Sequence, residues 1–259
     1  MTADDLSAQS ITRGLGTRFV GQRTIYYRRL KSTIDVARRE ARQEAAEGTV
    51  IITGEQTGGR GRRGRSWLSP RGSIALSIIL YPDVAHLPSL IMLASLAVVN
   101  STRAVTGLEP GIKWPNDVLI NGKKVCGILI ESEVRGDKVD YSTVSMGINV
   151  NIRLSDFPEI AATATSLVAE TGRDVSRRDI VRHLLVEVER LYLTLRAGGS
   201  AFEAWRDNLV MLGKDVRVTE GEKLYQGIAE SVARDGSLLL RQSDGKQLKI
   251  VAGDVSLRY

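Results

Sequence analysis

Apolar and polar positions fall into blocks along the chain, and the period of each block predicts a conformation. At 32–48, STIDVARREARQEAAEG places Val36, Ala37, Glu40 and Ala41 at helical spacing. Ser32 or Thr33 stands at its start as a cap, and Gly48 stands where the helix should stop. TVIITG at 49–54 and SIALSIIL at 73–80 are apolar runs of strand length. A second helix is predicted from about Pro88 to Val105, with Pro88 near its first turn. Asn121-Gly122 lies between two β-like runs, the signal of a type I′ hairpin. DYSTVSMGINVNI at 140–152 supplies a further strand. An amphipathic helix runs from Ser176 to Gly198-Gly199, and a shorter one over 200–213 carries Trp205 as a core residue.

From Gly213 the texture changes to short strands with turns at Glu220-Gly221, Asp235-Gly236 and Asp244-Gly245. Turns spaced roughly 8 to 12 residues apart predict a small β-barrel of about five strands. The pattern therefore predicts an α+β protein with a mixed, mainly antiparallel sheet rather than a doubly wound fold. It also predicts two domains, 1–212 and 213–259.

Composition narrows the picture. An apolar fraction of 42% and a charged fraction of 25% are those of an ordinary globular chain. The net charge of +6 favours an acidic partner or a phosphate ligand without choosing between them. Cys126 is the only cysteine, so no internal disulfide forms, and CGILI reads as a buried strand residue. Two separated histidines, His86 and His183, argue against a metal cage. MTADDLSAQS lacks the pattern of a signal peptide, and LIMLASLAVV is too short to span a bilayer. The expectation is a cytoplasmic protein that engages no membrane.

The chemistry concentrates in GEQTGGRGRRGRSWLSP at 54–70, where Arg60, Arg62, Arg63 and Arg65 sit among glycines ahead of Trp67. Gly59, Gly61 and Gly64 match G-x-G-x-x-G, but Pro70, Gly72 and a strand follow where a dinucleotide fold needs a helix. A Walker A loop is excluded by the missing Gly-Lys-Ser/Thr. A nucleic-acid contact through arginine and a stacking tryptophan stays open. Set against it, the loop lies between two buried strands and has one aromatic.

GRGRRGRSW (59–67) together with KWPNDVLINGKKVCGILIE (113–131) resembles the biotin–protein ligases. STIDVA, GINVN and the terminal strands follow in that family's order, so the likeness covers 32–259. The resemblance implies a class II synthetase-like catalytic domain and a C-terminal SH3-like barrel. It implies that biotin and ATP, with Mg²⁺, form biotinyl-5′-adenylate, and that biotin then passes to a lysine of a biotin carboxyl carrier protein. It further implies a homodimer. Ser32, Thr33 and Gln56 would bond biotin's ureido ring, with Gly59, Arg60, Gly61 and Arg62 along the ligand and Arg62 nearest the acyl phosphate. Trp67 would pack on the adenine side, with Arg65 also on the nucleotide. Lys124 would meet the carboxylate or phosphate, and Gly127 would let the ligand lie on its strand. Asn116 and Asp117 would organise nucleotide and metal, and Asn149 would reach the adenine. Arg62, Lys124 and Asp117 are the catalytic candidates, Asp117 as base, orienting group or metal ligand.

Two positions depart from the family pattern: Ile34 stands where Asn is common, and Ser145 where glycine is common. Only 31 residues precede Ser32, too few for the winged-helix domain of bifunctional members, so a ligase that binds no DNA is expected.

These residue types suit the chemistry. Two unit anions 4 Å apart repel by about 1 kcal/mol in water and by several-fold more at lower dielectric. Arginine offsets that repulsion with a planar fork that keeps its proton. Each residue also has a plainer reading: Asp117 as a turn residue, Lys124 as a hairpin lysine, Ser32 and Thr33 as helix caps. Two rivals remain: a lipoate ligase-like enzyme on the same fold, and a non-enzymatic nucleic-acid-binding protein.

Overall fold

The computed structural model describes residues 5–257. Chain order runs α1 (Ala8–Thr12), β1 (Thr24–Tyr27), α2 (Thr33–Arg42), β2 (Val50–Thr53), β3 (Gln56–Arg60), β4 (Ser66–Ser69), β5 (Ile74–Leu80) and α3 (Leu87–Thr106). Then come β6 (Gly111–Lys113), β7 (Asp117–Ile120), β8 (Lys123–Arg135), β9 (Lys138–Ile148), α4 (Pro158–Ala161), α5 (Leu167–Thr171), α6 (Arg177–Arg196) and α7 (Phe202–Asp207). Five strands follow: β10 (Asp215–Glu220), β11 (Lys223–Val232), β12 (Leu238–Arg241), β13 (Gln247–Ile250) and β14 (Asp254–Leu257).

The central sheet has the order β1-β2-β5-β9-β8-β7-β6 and is antiparallel except for the β1–β2 pair. All seven residues of β5 are buried, because helices cover both faces of its neighbourhood. Alternation decides which side chains go where. Ile52, Leu76, Ile78, Val144 and Met146 join the large core with α3 and α6. On the other face Ile51, Ile79 and Tyr141 meet Ala37 and Ala41 of α2. α2 covers only part of that face. Beyond its N-terminus the sheet is floored by Gly127 and Gly147, which pair in register on β8 and β9.

Local signals explain most element ends. Gly107 ends α3 at φ 74°, and Ser176 Oγ accepts from Asp179 N–H to cap α6. Asn121 and Gly122 have φ of 49° and 78°, as the type I′ turn requires. α3 with the turn before it is apolar and long enough to cross a bilayer by composition, but more than half of it is buried inside the chain. It is the core helix under the sheet, longer than the apolar run that predicted it.

Three expectations need correction. The helix expected over 32–48 ends at Arg42; Glu44 turns left-handed at φ 56°, which brings Ala45 onto the small core with Ile51. The helix expected over 200–213 stops at Asp207, because the backbone of Asn208 and Val210 hydrogen-bonds Ile112 of β6 at 2.7 and 2.9 Å. The arginine segment, read as a loop, is a hairpin of β3 and β4 pairing Gly59 with Trp67 and Arg60 with Ser66.

The C-terminal strands form an antiparallel sheet, β13-β12-β11-β10-β14, with glycines at positive φ in its expected turns (Gly221, Gly236, Gly245). Among the described residues β13 and β14 are edge strands that do not pair, so the ladder is open rather than a closed barrel. This sheet is fastened to the central one: Trp114, fully buried, donates its indole N–H to Gly236 O at 2.8 Å.

Candidate active site

A cavity of about 490 Å³ opens on the glycine floor of the sheet. That volume suits one small-molecule ligand. One wall is the N-terminus of α2, one is the β3–β4 hairpin, one is the β7–β8 hairpin, and the last is the segment around 160–164. The chain folds this last segment against β8 through backbone bonds from Lys124 N to Thr163 O (2.9 Å) and Thr165 N to Lys124 O (2.8 Å).

The expected site residues come together here. Thr33, Gln56, Arg60, Gly61, Arg62 and Arg65 line the cavity, as do Trp67, Asn116, Asp117, Lys124, Gly127 and Asn149. Ser32 and Gly59 do not line it. Ser32 is buried at the N-cap position of α2, yet its side chain makes no capping bond and its Oγ has no partner among the described residues. The cap role expected of it is therefore not what the structure shows. Gly59 has a clear steric reason: a Cβ there would sit 2.4 Å from Trp67 O, across the hairpin.

The polar end is held by Gln56, whose Oε1 accepts from Thr33 N (2.9 Å) and Thr33 Oγ1 (3.2 Å). Trp67 lies flat on the floor. Cβ atoms at Gly127 and Gly147 would fall 3.0 Å from its Cζ3 and 2.1 Å from its Nε1. Its indole nitrogen has no partner among the described residues, and the Lys124 ammonium sits 5.1 Å from the ring centroid.

The charged end pairs Lys124 Nζ with Asp117 at 2.6 Å, and Lys113 approaches the same carboxylate at 3.9 Å. Arg62 donates to Asn116 Oδ1 at 3.0 Å and to Gly253 O at 3.2 Å. Asn116 is fixed in turn by donating to Ile128 O at 2.9 Å. Burial holds the Arg62 guanidinium below the usual arginine value, and the nearby Asp254 carboxylate works against that shift. It stays charged, since arginine starts so high. Arg65 places one terminal nitrogen on both oxygens of Asp254, at 3.0 and 2.9 Å. Arg60 turns to Asp35 at 2.8 Å and Glu131 at 3.7 Å. Asn149 donates to Thr165 O at 3.0 Å, so in this structure its amide nitrogen holds the fourth wall.

Sequence reasoning missed three contributors. Asp254 reaches the arginines from the C-terminal sheet, at a separation that no local spacing reveals. Ser77, one position along a strand pattern read as core, joins the polar end. The 160–164 wall presents Ile160, Ala162, Thr163 and Ala164, a run with no chemical signature.

The geometry can hold a molecule with a polar head at α2, an apolar body on the floor and an anionic end among Arg62, Lys113 and Lys124. Comparisons with known proteins point the same way. Residues 26–151 match the biotin/lipoate A/B protein ligase family, and 211–258 match the biotin protein ligase C-terminal domain. The bifunctional ligase/repressor BirA of Bacillus subtilis is 36% identical over 258 residues, covering 97% of this chain and 79% of that protein. The biotin–[acetyl-CoA-carboxylase] ligase of Mycobacterium tuberculosis is 34% identical over 230 residues, covering 85% and 83%. A biotin protein ligase from Aquifex aeolicus, solved in complex with biotin and ATP, superposes with a TM-score of 0.78 at 30% identity, covering 92% of this chain and 99% of that one. The fold and the two matching models define a protein ligase of the biotin/lipoate class, and the chain belongs to the biotin protein ligase family.

Proposed function

We propose that this protein is an ATP-dependent biotin–protein ligase that makes biotinyl-5′-AMP and passes the biotinyl group to a lysine of a biotin carboxyl carrier protein. The observation that carries it is the cavity itself, with a hydrogen-bonding polar end and a cationic end joined by a glycine floor.

In the first step a biotin carboxylate oxygen bonds the α-phosphorus of ATP, and pyrophosphate leaves with the bond electrons. Arg62 and Lys124 stand where two anions must approach, and they offset their repulsion. Asn116 aims Arg62, and Asp117 orients Lys124. In the second step the carrier amine, having lost a proton, attacks the acyl carbon and AMP leaves. The adenylate is a mixed anhydride that water would destroy. The β3–β4 hairpin is therefore read as a flap that orders on biotin and covers the product. Equal protease cleavage of 59–67 with and without biotin would refute that role.

Asp117, the one carboxylate lining the cavity among the described residues, would help hold Mg²⁺ together with the nucleotide phosphates. Bound there, the ion would neutralise phosphate charge.

The catalytic domain is placed at 1–212 and the C-terminal domain at 213–259. An SH3-like barrel for the latter is supported by curvature. Only residues 251–253 join edge strand β13 to edge strand β14, a span of at most about 14 Å between their ends, so the sheet must curl strongly. A homodimer through the catalytic sheet is supported by β8, whose residues 129–135 pair with β9 alone among the described residues. The use of ATP and a carrier protein supports a cytoplasmic setting.

The test is the intact mass of a biotin-carrier domain after incubation with protein, ATP and Mg²⁺, with biotin and with lipoate in parallel. One biotinyl addition, lost in Arg62→Ala and Lys124→Ala, is expected. A lipoyl addition alone would keep the fold and replace the substrate.

A further inference from the structure

The polar end of the cavity is four side chains wired in series, and the wiring has a direction. Gln56 Oε1 takes two donors, Thr33 N–H at 2.9 Å and the Thr33 hydroxyl at 3.2 Å. Ser77 Oγ donates to Thr33 Oγ1 at 2.8 Å, and Ser77 Oγ and Ser145 Oγ lie 2.9 Å apart. Thr33, Ser77 and Ser145 are all buried, with Ser145 6% exposed at the cavity wall. A backbone N–H can only donate, so Gln56 must turn its carbonyl oxygen to Thr33. Each hydroxyl has one proton. Thr33's is committed to Gln56 and Ser77's to Thr33, so the remaining bond uses the proton of Ser145. Ser145 thus faces the cavity as an acceptor without a proton to give. Among the described residues no group donates to it.

We infer that Ser145 is a specificity-determining residue that accepts a hydrogen bond from a ligand N–H. The inference rests on the biotin reading, because the ureido ring is the part of biotin that carries N–H groups. The same chain leaves the Gln56 amide nitrogen, which lies against Gly59, as a donor for a carbonyl. Donor and acceptor together match the two faces of a urea. Ser145 also supplies polarity that its neighbour lacks, since Ile34 lines the cavity and offers none. A wall residue that merely narrowed the pocket would need no such wiring.

Ser145→Ala removes the acceptor and keeps the Cβ; Ser145→Gly also widens the wall. Calorimetric titration of both variants and the wild type would use biotin and biotin methylated on either ureido nitrogen. Ser145→Ala should weaken biotin about tenfold, equivalent to about 1.4 kcal/mol. One methylated analogue should lose affinity in the wild type and lose about tenfold less in Ser145→Ala, while the penalty for the other stays the same. Biotin bound equally or more tightly by Ser145→Ala would overturn the assignment and leave Ser145 a wall. Penalties unchanged for both analogues would overturn it too. A wild type that binds lipoate and not biotin would overturn the underlying function, a result distinct from either.

Discussion

Gly147→Ala probes the contact that holds the β3–β4 hairpin over the cavity. The backbone at Gly147 is outside the left-handed region, so alanine brings no strain of its own. Its methyl, however, would lie 2.1 Å from Trp67 Nε1 and 2.5 Å from Cε2. Ordinary contact is about 3.5 Å, so the indole must retreat by roughly 1.4 Å. A tryptophan buries about 150–250 Å². With Trp67 half-buried, roughly 100 Å² rests on the floor, contributing about 2.5 kcal/mol. The Arg65–Asp254 bridge that also fastens the hairpin is solvent-exposed on the arginine side, and such pairs contribute about 1 kcal/mol or less. Removing the ring contact should therefore shift the hairpin toward an open form by about 2 kcal/mol, roughly 30-fold.

The assay is trypsin cleavage of the unliganded protein at Arg62, Arg63 and Arg65, followed by mass spectrometry. The rate should rise at least about tenfold, with a red shift in tryptophan emission, because Trp114 and Trp205 stay buried and only Trp67 moves into water. Gly127→Ala is the graded control. Its methyl would meet Trp67 Cζ3 at 3.0 Å and the flexible end of Lys124 at 3.2 Å, so the effect should be smaller. Unchanged cleavage and emission in Gly147→Ala, or a larger response in Gly127→Ala, would refute the reasoning.

Burial pushes the Cys126 thiol well above its ordinary value, so iodoacetamide at pH 8 should leave the native protein unmodified by mass while labelling it fully in urea. Glu189 accepts the backbone N–H groups of Arg18, Phe19 and Val20 at 2.7, 2.8 and 2.9 Å. Glu189→Ala orphans all three, which should cost roughly 3 kcal/mol and lower Tm by about 6–12 °C in a thermal melt. Asp235 is held down to about 2 by Lys249 and by the Ser237 N–H. Its folded value lies below the unfolded one, so its stabilisation is complete above about pH 4 and fades as pH falls toward 2. Asp235→Asn should lower Tm at pH 7, and the difference from the parent should close near pH 2.

What the chain declares locally and what it hides follow from the range of the forces involved. The type I′ turn at Asn121-Gly122 and the three turns of the C-terminal sheet are set within a few residues, and each stands where the pattern put it. The over-long helices are different. Arg42 ends α2 because Ala45 is needed in a core shared with β2 and β5, and α7 stops because its sequel pairs with β6. Tertiary pairing overrode a helical period in both. In the site, the arginine cluster and KWPND were legible as motifs. The direction of their charges was not, since Arg65 and Arg63 turn to Asp254, a residue that nothing in its neighbourhood marks out.

That same convergence ties the C-terminal sheet to the wall of the cavity. Three guanidiniums approach one carboxylate: Arg65 at 2.9 Å, Arg63 at 3.5 Å and Arg62 at 3.7 Å. Arg62 is additionally tied to Gly253 O and, through Asn116, to β8. The β3–β4 hairpin therefore bridges the two sheets, and Trp114 bolts the other side of that bridge to Gly236. Arg62 has neutral partners, Asn116 Oδ1 and Gly253 O, that are closer to it than Asp254. Arg65 donates in addition to Arg62 O at 3.4 Å and Arg63 to Thr219 O at 3.2 Å, so each is held by Asp254 and one backbone carbonyl. On the proposed ligase reading, Arg62, anchored on neutral groups, would position the reacting phosphate, and Arg63 and Arg65, anchored mainly on Asp254, would be the two to turn toward it.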